Sequence, residues 1–196
     1  MTWLNWPNRI TLVRIALVPP FVICLLNMNT GWAGSRQLAI VLFGVMALSD
    51  ALDGFLARRL NQNTPLGRFL DPIADKLLIS CAVVLLAVDA TSVSGFRLPS
   101  WVSVIAIGKD ALTVIGFGLV YATTGQYFVE PRPWGKACTL VQLVMVAYAL
   151  LAPDMPAWLH WLSPATWWTA SVLAIIALVD YVRVGIGFAA KHEITG

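Results

Sequence analysis

The sequence predicts an all-α integral membrane protein, a bundle of six transmembrane helices with a short interfacial segment at the N-terminus. The first observation is composition: of 196 residues, 59% are hydrophobic and 12% charged, and the mean hydropathy is +0.77, far from the balance of a soluble domain. The second is that apolar runs of about 20 residues, enough to cross a bilayer, follow one another with little between them. The third is that we find no repeat, linker or low-complexity tract. We therefore expect residues 1–196 to form one membrane domain.

The individual helices follow from the apolar runs and from the residues that begin them. Residues 3–9 carry two Trp and a Pro, which is typical of a segment lying along the membrane surface. Pro19 and Pro20 predict a kink in the first helix, which a bundle tolerates. Thr64 followed by Pro65 is a favourable start for the third helix. The six expected spans are about 10–26, 38–58, 64–88, 99–121, 135–151 and 164–189.

The positions of Lys and Arg predict the orientation, because cytoplasmic segments carry the excess of these residues. With six spans, both termini and the loops after the second and fourth helices share one side. The cations on that side are Arg9, Arg14, Arg58, Arg59, Arg68, Arg132, Lys136, Arg183 and Lys191. The opposite loops hold Arg36 and Arg97. We expect both termini in the cytoplasm, with the protein in the inner membrane of a bacterium or an equivalent organelle membrane.

Four aspartates lie at the ends of two predicted helices. Asp50 and Asp53 are three residues apart, and Asp71 and Asp75 are four apart, so each pair occupies one helical face. An ionised side chain inside an apolar helix costs several kcal/mol and is a functional hypothesis by default. A short loop joins the two helices as an antiparallel pair, and we therefore expect the two carboxylate faces to meet near the cytoplasmic interface.

Facing carboxylates repel one another unless a counter-charge is present, and a divalent metal supplies it. Hard oxygen ligands select Mg²⁺, Mn²⁺ or Ca²⁺, whereas zinc favours His and Cys, and no His lies near these acids. Mg²⁺ is commonly held by a few carboxylates together with substrate phosphates. The sequence thus predicts a substrate with a phosphate or diphosphate group. The nine Trp suit interfacial anchoring rather than nucleic-acid stacking, and no nucleic-acid partner is expected.

Other interpretations of the acids remain open. The aspartates alternatively form only interface salt bridges, with the neighbouring cations Arg58, Arg59, Arg68 and Lys76. A divalent-cation transporter would line a path with carboxylates at several depths, but the other helices carry only Asp110 in their central portions. An intramembrane prenyltransferase also uses aspartates and Mg²⁺, but with two separated acidic motifs and more helices.

Three residues beside the acids suit a nucleotide. Gly54 and Ala57 are small; small residues in membrane helices often only permit close packing, but they also suit a wall that a nucleotide approaches. Arg58, at the end of the same helix, is placed to hold a diphosphate in bidentate fashion.

The acidic segment reads Asp50-x2-Asp53-Gly54-x2-Ala57-Arg58-x8-Gly67-x3-Asp71-x3-Asp75. In every fixed position and spacing it resembles the complete motif of the CDP-alcohol phosphatidyltransferases. The opening Asn5-Trp6-Pro7-Asn8-x-Ile10-Thr11-x-x-Arg14 is similar to the start of the family's first helix. Leu70-Asp71-Pro72-Ile73-Ala74-Asp75-Lys76 and Gly135-Lys136-x-x-Thr139-x-x-Gln142 resemble the branch that makes phosphatidylglycerophosphate and cardiolipin.

The resemblance implies an enzyme that transfers a phosphatidyl group from CDP-diacylglycerol to an alcohol, releasing CMP. It implies two metal ions, Mg²⁺ or Mn²⁺, held by Asp50, Asp53, Asp71 and Asp75. Asp75 is in addition implied as the base that accepts the proton of the acceptor hydroxyl. The residues implied in holding the CDP moiety are Gly54, Ala57, Arg58, Thr64 and Gly67. The family is commonly dimeric, which implies a homodimer among membrane lipids.

The acceptor alcohol is suggested by cations elsewhere in the chain. Phosphatidylglycerophosphate synthases usually carry an Arg-Glu pair and a further Arg in the fourth helix, and a second Lys after the Gly-Lys of the fifth. This chain has Lys109-Asp110, and Cys138 in place of that Lys. Fewer cations argue against a doubly charged acceptor, so our main hypothesis is phosphatidylglycerol as acceptor and cardiolipin as product. The alternative is glycerol 3-phosphate, giving phosphatidylglycerophosphate.

Three cations are candidates for binding the acceptor, namely Lys109, Arg132 and Lys136. Alternatively, Lys109 forms a structural ion pair with Asp110. Arg132 and Lys136 lie beside the membrane, where cations often serve topology alone.

Overall fold

The computed structural model describes residues 6–60, 65–124 and 133–193, and the side chains of 11–49, 76–116, 118–120, 122 and 133–188. Within these residues the chain is all-helical and contains no strand. The α-helices are α1 (Trp6–Leu26), α2 (Ser35–Leu60), α3 (Pro65–Ala87), α4 (Ser100–Thr124), α5 (Pro133–Leu151) and α6 (Leu162–Glu193). Two short 3-10 helices, Ala152–Asp154 and Ala157–Leu159, connect α5 to α6. The prediction of an all-α protein is therefore confirmed for the described residues.

Several helices have the length and composition of membrane spans. Among the described residues, three stretches are long and apolar enough to cross a bilayer, namely Ser100–Val120, Pro133–Asp154 and Ala157–Phe188. Three shorter apolar stretches are Thr11–Leu26, Ser35–Ser49 and Lys76–Ala87. Large apolar side chains stand exposed on the outer faces of the helices, among them Leu48, Val104, Leu140 and Ile186. Such surfaces suit contact with lipid. The count of six spans remains a prediction.

The first helix begins earlier than its apolar run suggested. It starts at Trp6 and continues through Pro19 and Pro20 to Leu26. Pro7 falls in its first turn, where a missing backbone N–H breaks no helical hydrogen bond. Part of the expected interfacial segment, residues 6–9, is thus helical, and its location at the membrane surface remains a prediction.

One compact unit comprises Met1–Leu98 and Val146–His160. In it, α1 packs against both α2 and α3. The face that α1 buries includes Thr11, Arg14, Val18, Phe21 and Leu25. Their spacing of three or four residues is that of one side of a helix. The two helices that carry the aspartates therefore share α1 as a neighbour.

Polar contacts fasten one end of this unit. Asn29, just after α1, donates from Nδ2 to the carbonyl oxygens of Ala90 and Ser92, at 3.1 Å each. Arg36, at the start of α2, donates to both carboxylate oxygens of Asp154 at 2.7 and 2.8 Å. The same guanidinium donates to the carbonyl of Leu150 at 3.0 Å. These bonds join the segment after α1 to the segment after α3, and the start of α2 to the end of α5 and the short helix that follows it.

The second compact unit comprises Pro99–Met145 and Trp161–Gly196. Here α4 packs against α6, and a small core of Cys138, Ala174 and Ala177 is covered by Ile105 and Leu173. The rings of Trp101 and Trp168 lie 4.9 Å apart between centroids. The expectation of a single membrane domain over 1–196 remains a prediction.

Candidate active site

The two pairs of acids lie in helices, as their spacing of three and four residues predicted. Asp50 and Asp53 belong to α2, and Asp71 and Asp75 to α3. Within each helix the spacing of three or four residues places both acids on one face. The side chains of these four residues, and of Gly54, Ala57, Arg58 and Gly67, lie outside the described ones, and Thr64 and Arg132 lie outside the described residues altogether.

The buried faces of α2 and α3 lead towards the aspartates. On α2 the described buried residues are Ser35, Ala39, Phe43 and Met46. Continued at the same helical spacing, this face reaches Asp50 and Asp53. On α3 the described buried residues include Ile79, Ala82 and Leu86. Continued towards the start of α3, that face reaches Asp75 and then Asp71. The acids thus occupy helical positions that extend the packed faces.

A contact between α1 and α2 sets the depth of Asp50. The rings of Phe21 and Phe43 lie 6.0 Å apart between centroids, so these two residues are at about the same height along the helix pair. The helices run antiparallel, since Ser35 Oγ at the start of α2 donates to the carbonyl of Asn27 just after α1, at 3.4 Å. Seven residues onward from Phe43 lies Asp50, and seven back from Phe21 lies position 14. Seven residues of helix rise about 10 Å, so position 14 and Asp50 are level.

A contact between the ends of α1 and α3 sets the depth of Asp75 in the same way. Asn29 and Ala90, which are joined by a hydrogen bond, each lie three residues beyond the end of their helix. Twelve residues back from those ends lie position 14 on α1 and Asp75 on α3, a rise of about 18 Å on both helices. By this count Asp50 and Asp75 lie at about the same height on two helices that both pack against α1.

This donor set suits a hard divalent cation. Carboxylate oxygens are the ligands that Mg²⁺ and Mn²⁺ prefer, and the two helices that carry the four aspartates both pack against α1. That the four carboxylates gather into one metal site remains a prediction. Among the described side chains, no group of three or more His, Cys, Asp or Glu is placed to hold an ion.

The structure describes two of the three candidate acceptor residues, both in the second unit. Lys109 is 8% exposed, and its Nζ lies 2.9 Å from Asp110 Oδ1 and 3.8 Å from Cys138 Sγ. This geometry agrees with the interpretation of Lys109 and Asp110 as a structural ion pair. Lys136, in the first turn of α5, is exposed. Cys138, the residue in place of a second Lys, is thus a neighbour of the Lys109 ammonium.

One residue that the sequence did not single out for the site emerges from the structure. Arg14 was counted among the cytoplasmic cations, but it lies within α1 and is 1% exposed. Thr11, one turn earlier, is buried on the same face. The helical period of the apolar residues that follow, Val18, Phe21 and Leu25, was the available signal, because it extends back to Arg14 and Thr11.

The family profile described as CDP-alcohol phosphatidyltransferase matches residues 4–176. The chain belongs to the CDP-alcohol phosphatidyltransferase family and is a membrane-bound transferase of phospholipid biosynthesis. Membership sets aside the cation transporter and the prenyltransferase as classes. The family is generally dependent on a divalent metal.

Curated relatives resemble the chain over most of its length, and each bears the name CDP-diacylglycerol–glycerol-3-phosphate 3-phosphatidyltransferase. The relative from Bacillus subtilis (strain 168) is 37% identical over 162 residues, covering 78% of this chain and 79% of the relative. That from Pseudomonas fluorescens is 33% identical over 189 residues, covering 92% and 89%. That from Shigella flexneri serotype 5b (strain 8401) is 32% identical over 186 residues, covering 91% and 93%.

Proposed function

We propose that this enzyme transfers the phosphatidyl group of CDP-diacylglycerol to glycerol 3-phosphate, forming phosphatidylglycerophosphate and releasing CMP. The observation that carries the proposal is the shared name of relatives that are 32–37% identical over most of the chain. They support the glycerol 3-phosphate alternative better than the main hypothesis of phosphatidylglycerol and cardiolipin. The bond that breaks joins the phosphatidyl phosphorus to CMP, and the bond that forms joins the same phosphorus to the acceptor oxygen.

The acidic residues of α2 and α3 supply the chemistry in this proposal. Asp50, Asp53, Asp71 and Asp75 would hold two Mg²⁺ or Mn²⁺ ions, and such ions would stabilise the charge that develops on the leaving CMP. Asp75 also accepts the proton of the acceptor hydroxyl as that oxygen attacks. The level positions of Asp50 and Asp75 support this assignment, because both must serve one reacting centre.

The substrates are held by residues on either side of the acids. Arg58 pairs with the diphosphate, while Gly54, Ala57, Thr64 and Gly67 hold the CDP moiety. For the acceptor phosphate we propose Arg132 and Lys136, since Lys136 is exposed. Lys109 is buried and paired with Asp110, which favours a structural contribution over direct binding of the acceptor.

We further propose that the chain forms a single membrane domain, that it assembles as a homodimer, and that its termini and active site lie on the cytoplasmic side.

The acceptor is tested with the purified full-length enzyme in detergent micelles. CDP-diacylglycerol and Mg²⁺ or Mn²⁺ are supplied with either glycerol 3-phosphate or phosphatidylglycerol, and CMP release and the lipid product are measured. We expect phosphatidylglycerophosphate from glycerol 3-phosphate and no CMP without divalent metal. Cardiolipin formed from phosphatidylglycerol, with glycerol 3-phosphate inactive, would restore the main sequence hypothesis. An absence of CMP release with both acceptors would contradict the proposal as a whole.

A further inference from the structure

Arg14 is a buried cation in the apolar part of α1. Its side chain is 1% exposed, and the next residues on its face are Val18 and Phe21. An arginine keeps its charge inside proteins, and burying a charge is costly unless opposite charge compensates it. A cation at this position therefore indicates a strongly anionic environment on the helices that α1 contacts.

The two helices that α1 contacts carry acids at the level of Arg14. The ring contact between Phe21 and Phe43 makes Arg14 level with Asp50 on α2. The bond from Asn29 to Ala90 makes Arg14 level with Asp75 on α3. Two independent contacts thus place Arg14, Asp50 and Asp75 at about the same height along their helices.

We propose that Arg14 is a positioning residue that compensates the charge of the four-aspartate centre and holds its carboxylates together when no metal is bound. This inference rests on the proposed function, because it takes those aspartates to be the metal site. Four carboxylates in one centre carry four negative charges that repel one another, and Arg14 compensates one of those charges before a divalent cation enters. A purely structural contribution of Arg14 to packing would not affect metal affinity. The positive charge of Arg14, in contrast, repels the incoming metal ion.

Replacement of Arg14 by an uncharged side chain therefore has two linked effects. The metal-free protein loses stability, since the acids lose their internal counter-charge. Mn²⁺ binds more tightly, by at least about threefold, because no cation repels it. A ligand that binds the native state more tightly stabilises it more. Saturating Mn²⁺ must therefore reduce the difference in melting temperature between the variant and the unsubstituted enzyme.

The experiment uses full-length protein in detergent and needs no turnover. Melting temperatures are measured with a chelator and with saturating Mn²⁺, and the Mn²⁺ affinity is obtained by titration, for the unsubstituted enzyme, Arg14→Met and Arg14→Lys. We expect Arg14→Met to melt well below the unsubstituted enzyme in chelator, with the gap narrowing in Mn²⁺ and the affinity rising. Arg14→Lys retains the charge and should resemble the unsubstituted enzyme in both readouts.

Arg36→Met is the matched control. It removes another cation of the same unit, which binds Asp154 and Leu150, but it lies at the opposite end of α2 from Asp50. Its loss of stability should be the same with and without Mn²⁺. If Arg14→Met behaves like Arg36→Met, or binds Mn²⁺ more weakly, the inference is overturned while the proposed function stands. If Mn²⁺ neither binds nor stabilises the unsubstituted enzyme, the proposed metal centre fails and the inference fails with it.

Discussion

At the residue scale, the four acids are not equivalent in the proposed reaction. Their spacing was readable from the sequence because the helical period alone places each pair on one face. Arg14 was not readable in the same way. The apolar period of α1 extends back to it, but its burial depends on α1 packing against both α2 and α3, which the sequence alone does not show. The helical spacing of residues can be read from a short stretch of sequence, whereas the burial of a side chain depends on helices that are distant in the sequence.

Asp75→Asn separates proton transfer from metal binding. The amide keeps an oxygen that can face a cation but loses the ability to accept the hydroxyl proton, and a lost general base typically costs about 10²–10⁴-fold in rate. We expect kcat to fall in that range while metal-dependent binding of CDP-diacylglycerol, measured by titration, is largely kept. Asp53→Asn, assigned to metal binding alone, should weaken the binding itself. A near-normal rate in Asp75→Asn would remove the base assignment.

At the element scale, the sequence predicted each of the six helices of the described chain, but not all of their ends. Apolar runs locate the part of a helix that lies in lipid and miss polar turns that continue it, such as residues 6–9 of α1. The neighbours of Lys109 were also beyond prediction. Its contact with Cys138 joins α4 to α5, and the approach of two helices depends on side-chain shapes that a pattern of apolar residues does not specify.

The start of α5 approaches α6 closely enough that glycine matters there. A Cβ on Gly135 would lie 3.0 Å from Tyr181 Oη and 3.5 Å from its Cε2. We expect Gly135→Ala to destabilise the enzyme by about 1 kcal/mol, since overpacking forces neighbours to shift, and to lower the melting temperature. The loss should shrink in a Tyr181→Phe background, because the nearest atom is then absent.

Gly118→Ala is the control for that substitution. A Cβ there meets nothing within 4 Å, so the higher helix propensity of Ala, up to about 1 kcal/mol, should leave the melting temperature equal or higher. If Gly135→Ala is as harmless as Gly118→Ala, Tyr181 moves aside freely and the close approach imposes no constraint.

At the scale of the whole molecule, the orientation of the termini remains a prediction from the placement of Lys and Arg. The two cations assigned to the non-cytoplasmic loops both pair with carboxylates: Arg36 with Asp154 and Arg97 with Asp89. That end of the first unit therefore exposes little uncompensated positive charge.

The orientation is testable in intact bacterial cells expressing the protein with single introduced cysteines. Ser94 is exposed in the connection between α3 and α4, and Lys136 is exposed at the start of α5. If the termini are cytoplasmic, Ser94→Cys reacts with a membrane-impermeant maleimide from outside, whereas Lys136→Cys reacts only after permeabilisation. The unsubstituted protein measures the background labelling of the native cysteines, of which Cys24 and Cys138 are buried and Cys81 is half-buried. The reverse pattern would invert the topology and place the aspartate ends of α2 and α3 outside the cell, where a cytoplasmic supply of CDP-diacylglycerol and glycerol 3-phosphate would not reach them.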